Sequence, residues 1–260
     1  MNESLDIPEI RDLLDLLNTR IQDALGANLL GLYVVGSLVV GDFDPDISDI
    51  DLIAVTATDL SSDEAARLKA MHAAVVEIYP RWDNRIEVVY VAIETLTQRK
   101  AAHPLAVISP GEPFHVFDVR GSDWLINWYV LYENGIALHG APPRTIAPPV
   151  ALDDLLPSLR RQLPLVRDWI AQGQHRGAQA YAILTMCRAL YTFARRGFVS
   201  KRQAALWAAG AFPQWSPLIH QAQAWRDASR GTQVDGAATQ PETLRFVDFA
   251  IDHIFSIALI

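Results

Sequence analysis

One cysteine, Cys187, is all the chain has, so it can form no internal disulfide and offers no cysteine-based zinc site. None of its seven histidines falls in a His-x-x-x-His or similar ligand set. Positive charge is also scarce. The 22 Lys and Arg stand against 30 Asp and Glu, for a formal net charge of −8. A general nucleic-acid binder needs basic stripes for the phosphate backbone, so no nucleic-acid partner is expected. The same charge suits a cationic small molecule. No apolar run approaches the ~20 residues of a membrane span. The C-terminal FVDFAIDHIFSIALI is interrupted by Asp248, Asp252 and His253 and reads as a packed amphipathic helix. The opening MNESLDIPEI is acidic and polar, unlike a signal peptide. The expectation is a cytoplasmic protein with no membrane partner, and a monomer. There is no internal repeat and no low-complexity segment.

What is present is enough for a real core. Half of the 260 residues are apolar, which allows one large or two small domains. From Ile7 to Leu25, Ile10, Leu13, Leu14, Leu17 and Ile21 recur at helical spacing. Strands are predicted over Leu29 to Val35, Ile50 to Val55 and Arg85 to Ile93. A helix between the last two is capped from Thr58-Asp59 or Ser61-Ser62-Asp63 and reaches Ile78, before Pro80. A short strand near Phe114 to Val119 and a helix from Ser122 to Tyr132 follow. HGAPPRTIAPPV, His139 to Val150, holds two proline pairs and reads as a semi-rigid linker. Beyond it every pattern is helical: Leu152–Gln172, Gly177–Arg196, Lys201–Ala209, Pro217–Ala228 and Pro241–Ile257. The predicted fold is an α/β domain over 1–145, a mixed sheet with flanking helices, followed by an all-α domain over 146–260.

The stretch YVVGSLVVGDFDPDISDIDLIAV poses a physical problem. Asp49 and Asp51 stand one residue apart at the mouth of an apolar strand, where residues i and i+2 share a face. Two carboxylates so placed repel, and burying them unpaired is costly. A positive partner is expected between them. Glu87, on the third strand, reaches the same face if that strand lies beside the second. Three carboxylates then converge at one end of the sheet, a donor set that suits magnesium, usually bound by one or two carboxylates plus substrate phosphates. Gly36 and Ser37 precede them. Glycine lets the backbone approach a phosphate closely, and serine adds a hydroxyl. An Asp-x-Asp alone is more often a solvated polar turn; here the pieces occur together.

At this point the sequence resembles the nucleotidyltransferase superfamily. LYVVGSLVVGDFDPDISDIDLIAV, RIEVVYVA, GIALHGAPP and LTMCRALYTFARRGFVSKRQAALWA together look like the aminoglycoside 3''/9-adenylyltransferases and their wider relatives. The loop between Gly-Ser and Asp-x-Asp is one residue longer than in the best-known members. The resemblance spans about Leu29 to Ile257. It implies a nucleotidyltransferase domain over 1–145, ATP as co-substrate with Mg2+, and transfer of AMP to a hydroxyl of a small, cationic acceptor, an aminoglycoside or aminocyclitol antibiotic. It makes Asp49 and Asp51 magnesium ligands, Glu87 the catalytic base at the metal site, and Ser37 and Ser48 phosphate contacts. For Ser48 a turn hydroxyl beside Asp49 is the competing reading.

The helical half carries the cations such a site needs. Arg188 interrupts the apolar LTMCRALY, and Lys201 opens the next helix after RRGFVS. In the related family an Arg and a Lys in these motifs reach the ATP phosphates. An internal salt bridge for Arg188 and a solvated first-turn position for Lys201 are the competing readings. Trp169 matches a tryptophan that stacks on the antibiotic in streptomycin-modifying relatives, against core packing as the alternative. One departure matters. Relatives acting on streptomycin and spectinomycin carry an acid ten positions before the helical arginine, and here that place is Ala178. Tyr181 follows three positions on, and Gln174 stands where an earlier aspartate is expected. Two other readings remain open: an adenylyltransferase acting on a non-antibiotic or protein acceptor, and a non-catalytic nucleotide-binding regulator or antitoxin-like protein.

Overall fold

The computed structural model describes residues 3–99, 102–120, 124–172, 175–228 and 234–258. It divides into two units, residues 1–43 with 48–150, and 44–47 with 151–260.

The first unit opens with α1 (Pro8–Leu25). Proline at its start costs nothing, because the first helical N–H groups have no intrahelical partner. Ile10, Leu13, Leu14, Leu17 and Ile21 all face the core. Gly26, at φ 52°, ends the helix, and its N–H bonds to the Gln22 carbonyl. β1 (Leu29–Val34) then runs into a short turn of helix, α2 (Ser37–Val40). β2 (Ile50–Thr56) leads through α3 (Ser62–Ile78) to β3 (Ile86–Ala92). Ser61 caps α3 in a complete capping box with Glu64. A helical crossover of this kind returns the chain for parallel pairing, and β2 and β3 are parallel neighbours. The remaining elements are α4 (Ile93–Thr97), β4 (Ala102–Ser109), β5 (Glu112–Arg120), α5 (Leu125–Asn134), β6 (Ile136–Gly140) and α6 (Pro143–Ile146). The six strands are ordered β5-β4-β3-β2-β1-β6, and every pair except β2–β3 is antiparallel.

The core of this unit joins α1 and α3 to one face of the sheet, with Trp82 and Tyr90 fully enclosed. The structure adds β4 and β6 to the predicted strands. His139 and Gly140, predicted as linker, close the edge strand β6 beside β1. The predicted helix start at Ser122 lies outside the described residues.

The second unit is helical, as the sequence predicts. It comprises α7 (Leu152–Gln172), α8 (Arg176–Arg195), α9 (Lys201–Ala211), α10 (Ser216–Asp227) and α11 (Gln240–Ser256). α8 is the central helix and packs against all four others. Small residues there, Ala178, Ala180, Ala182 and Ala189, alternate with Ile183, Leu184, Met186, Cys187 and Leu190 in the interior. Gln179, fully buried, binds the carbonyl of Gly236 and accepts from Thr239 and Thr243, so its amide is satisfied on both sides.

Candidate active site

β1 leaves the sheet at Val35, whose N–H donates to the Asp51 carbonyl at 3.0 Å. Gly36 follows at φ 66° and ψ −147°. That conformation favours glycine, and crowding requires it too. A Cβ at Gly36 would lie 1.9 Å from Oδ2 of Asp51. The Asp51 carboxylate therefore rests directly against bare backbone. Ser37, half-buried, begins α2 immediately after.

The parallel pairing of β2 and β3 sets Asp51 opposite Glu87. Register partners on neighbouring strands project on the same face, so the sheet brings these two carboxylates together. Asp49 lies one residue before β2, and all three acids are half-buried. Among the described residues, no group of three or more His, Cys, Asp or Glu could hold a metal ion. The sheet supplies an adjacent oxygen pair and an approachable backbone. That donor set fits a magnesium ion that takes its other ligands from phosphate and water. Ser48 is buried, and its carbonyl accepts from the Arg85 guanidinium. Arg85 is a residue the motif reading passed over. Its signal was a lone cation at the mouth of the apolar RIEVVYVAI.

In the second unit, Trp169 on α7, Tyr181 on α8 and Lys201 on α9 form one cluster. The Trp169 and Tyr181 rings meet edge to face at 5.7 Å. The Lys201 ammonium lies 3.9 Å from the Tyr181 ring centroid, a cation–π contact. Of the seven tryptophans Trp169 is the one left open to solvent, at 48% exposure, and Tyr181 is 50% exposed. The Arg188 guanidinium, also on α8, lies 4.8 Å from the centroid of the Phe198 ring. Ala178 is only 3% exposed. It sits in the first turn of α8, where its N–H donates to the capping His175 Nδ1 at 3.1 Å. Gln174 lies outside the described residues.

The architecture is thus a mixed sheet with flanking helices, paired carboxylates at the mouths of two adjacent strands, and a following helical unit. Residues 145–253 match the family described as aminoglycoside adenylyltransferase, C-terminal domain. The chain is similar in structure to the spectinomycin adenyltransferase AAD(9) from Enterococcus faecialis, crystallised with ATP and spectinomycin. The TM-score is 0.76 at 16% sequence identity, covering 95% of this chain and 99% of that one. The protein is aminoglycoside adenylyltransferase-like in its fold and in its C-terminal unit. No helix among the described residues is long and apolar enough to cross a membrane.

Proposed function

We propose that this protein is a Mg-ATP-dependent adenylyltransferase that moves AMP to a hydroxyl of a small molecule, of the aminoglycoside or aminocyclitol class. The observation that carries the reading is the register of Asp51 with Glu87, with Asp51 seated against the bare backbone of Gly36. The family match over 145–253 and the fold shared with a protein crystallised with ATP and spectinomycin support it.

In this reading Asp49 and Asp51 hold magnesium, with Glu87 beside them. The ion, when bound, neutralises triphosphate charge and polarises the α-phosphate. Glu87 takes the proton of the acceptor hydroxyl as general base. The hydroxyl oxygen bonds to the α-phosphorus, the bond to the bridging oxygen of the β-phosphate breaks, and pyrophosphate leaves with that electron pair. Gly36 lets the chain approach the phosphates closely, and the Ser37 and Ser48 hydroxyls orient them. Arg188 and Lys201, in the helical unit, are the cations this reading assigns to the nucleotide. The open faces of Trp169 and Tyr181 stack on the acceptor. Ala178 offers no carboxylate to a cationic drug, so streptomycin and spectinomycin are poor acceptors and another hydroxyl compound of this class is the better one.

The test is incubation with Mg-ATP and a panel of aminoglycosides and aminocyclitols, read by mass spectrometry for the gain of one AMP. Absence of transfer to every member, together with absence of ATP binding, would defeat the reading. Strong modification of streptomycin and spectinomycin would defeat only the acceptor assignment.

A further inference from the structure

Asp49 is suspended between two anchors, and both belong to one residue. The Arg85 Nη2 donates to the carbonyl of Ser48. The Arg85 carbonyl accepts from the N–H of Ile50 at 2.9 Å. The peptide groups on either side of Asp49 are thus tied to Arg85, one through its side chain and one through its main chain. Arg85 itself is 8% exposed. Its guanidinium lies 4.4 Å from the centroid of the Trp82 ring. Trp82 is fully buried, donates its indole N–H to Glu9 Oε1 at 3.1 Å, and stacks with Phe43. A planar guanidinium can lie on an aromatic ring and donate at its edge in the same pose, which an ammonium cannot. Arg85 also stands two positions before Glu87, so one strand entry carries both the brace and the carboxylate opposite Asp51.

We infer that Arg85 is a positioning residue for Asp49. It fixes the approach of the chain into β2, and so the place of the Asp49 carboxylate relative to Asp51 and Glu87. The inference rests on the adenylyl-transfer reading and adds to it the residue that makes the metal-holding segment rigid. Partners that orient metal ligands are typically worth about 10–100-fold in affinity.

The experiment uses the full chain with Mn2+ as a paramagnetic substitute for magnesium. Free Mn2+ is followed by electron paramagnetic resonance during titration in the presence of ATP and the absence of acceptor. Arg85→Met keeps an apolar stem over Trp82 and removes the donor. It is expected to weaken Mn2+ binding by about 10–100-fold, and to speed hydrogen exchange in the peptide spanning residues 48–53. Arg85→Lys should fall between Met and the parent. Trp82→Phe removes the bond to Glu9 but keeps a ring under the guanidinium; it should lower the melting temperature and leave Mn2+ affinity unchanged. If Arg85→Met does not fold, Arg85→Lys carries the test. Folded Arg85 variants that bind Mn2+ and ATP like the parent overturn the inference alone. A parent that binds no Mn2+ with ATP overturns the adenylyl-transfer reading and the inference together.

Discussion

At the scale of single residues, the candidate site turns on groups that tolerate no substitute. At Gly36 an added methyl would meet the Asp51 carboxylate at 1.9 Å, on a backbone already at φ 66°. Gly36→Ala should destabilise the protein by roughly 1–3 kcal/mol from the backbone conformation alone and displace Asp51 as well. A fall in melting temperature with loss of AMP transfer is the expected pair of results; transfer at the parent's rate would remove Gly36 from the site. Glu87→Gln preserves shape and cannot accept a proton. It should retain ATP binding and lose transfer by about 10²–10⁴-fold. Weakened ATP binding with an unchanged chemical step would mean that Glu87 serves the metal only. These acids were legible in the sequence because carboxylates at the mouth of an apolar strand demand an explanation. Which of them face each other was not legible. That depends on β2 and β3 being parallel neighbours, and the pairing register leaves no mark in either strand's own pattern.

At the scale of elements, the contrast between legible and illegible segments has a physical cause. α1 buries one stripe and exposes the other, so its 3.6-residue period stands out. β6, IALHG, lies at the sheet edge with no residue fully buried, and the proline pair Pro142-Pro143 just beyond it makes His139 and Gly140 read as linker. β4 carries Pro104, a residue that argues against a strand interior. α7 was legible despite Pro157 and Pro164, because its leucines hold their spacing. The capping box of α3 offers a clean measurement. Ser61→Ala should cost about 1 kcal/mol, read as a lower denaturant midpoint with an unchanged slope; a midpoint equal to the parent's would mean that Glu64 alone satisfies the helix start. The meeting of α7, α8 and α9 at Trp169, Tyr181 and Lys201 had no local signature, since it exists only once the helices pack. If Lys201 serves ATP from this perch, Lys201→Ala should raise the KM for ATP. Tyr181→Phe, which keeps the ring beneath the ammonium, should not. Equal KM values for Lys201→Ala and the parent would sever the lysine from the nucleotide.

At the scale of the whole molecule, one buried base sets an acid limit on stability. His72 is 2% exposed, its Nε2 lies 2.7 Å from the Tyr90 hydroxyl, and its Nδ1 has no partner among the described residues. Burial lowers its pKa from 6.5 to about 4. The unfolded chain therefore takes up a proton at this imidazole before the folded one does. Its contribution to stability is complete above pH 6.5 and declines as the pH falls toward about 4. The full effect is on the order of 3 kcal/mol. Denaturant midpoints for the parent should drop between pH 6.5 and about 4. His72→Phe, less stable at neutral pH, should lose much of that slope, and parallel pH profiles would clear His72 of the role. The single parallel pair of the sheet has a consequence of another kind. Asp51 and Glu87 meet only after the whole of α3 has crossed over, so no hairpin or local fragment can assemble them. A contact of such sequence separation forms against loop-closure entropy. A nascent chain that has emerged only through the Asp-x-Asp segment therefore lacks the facing carboxylates, which come together only when β3 has left the ribosome and docked.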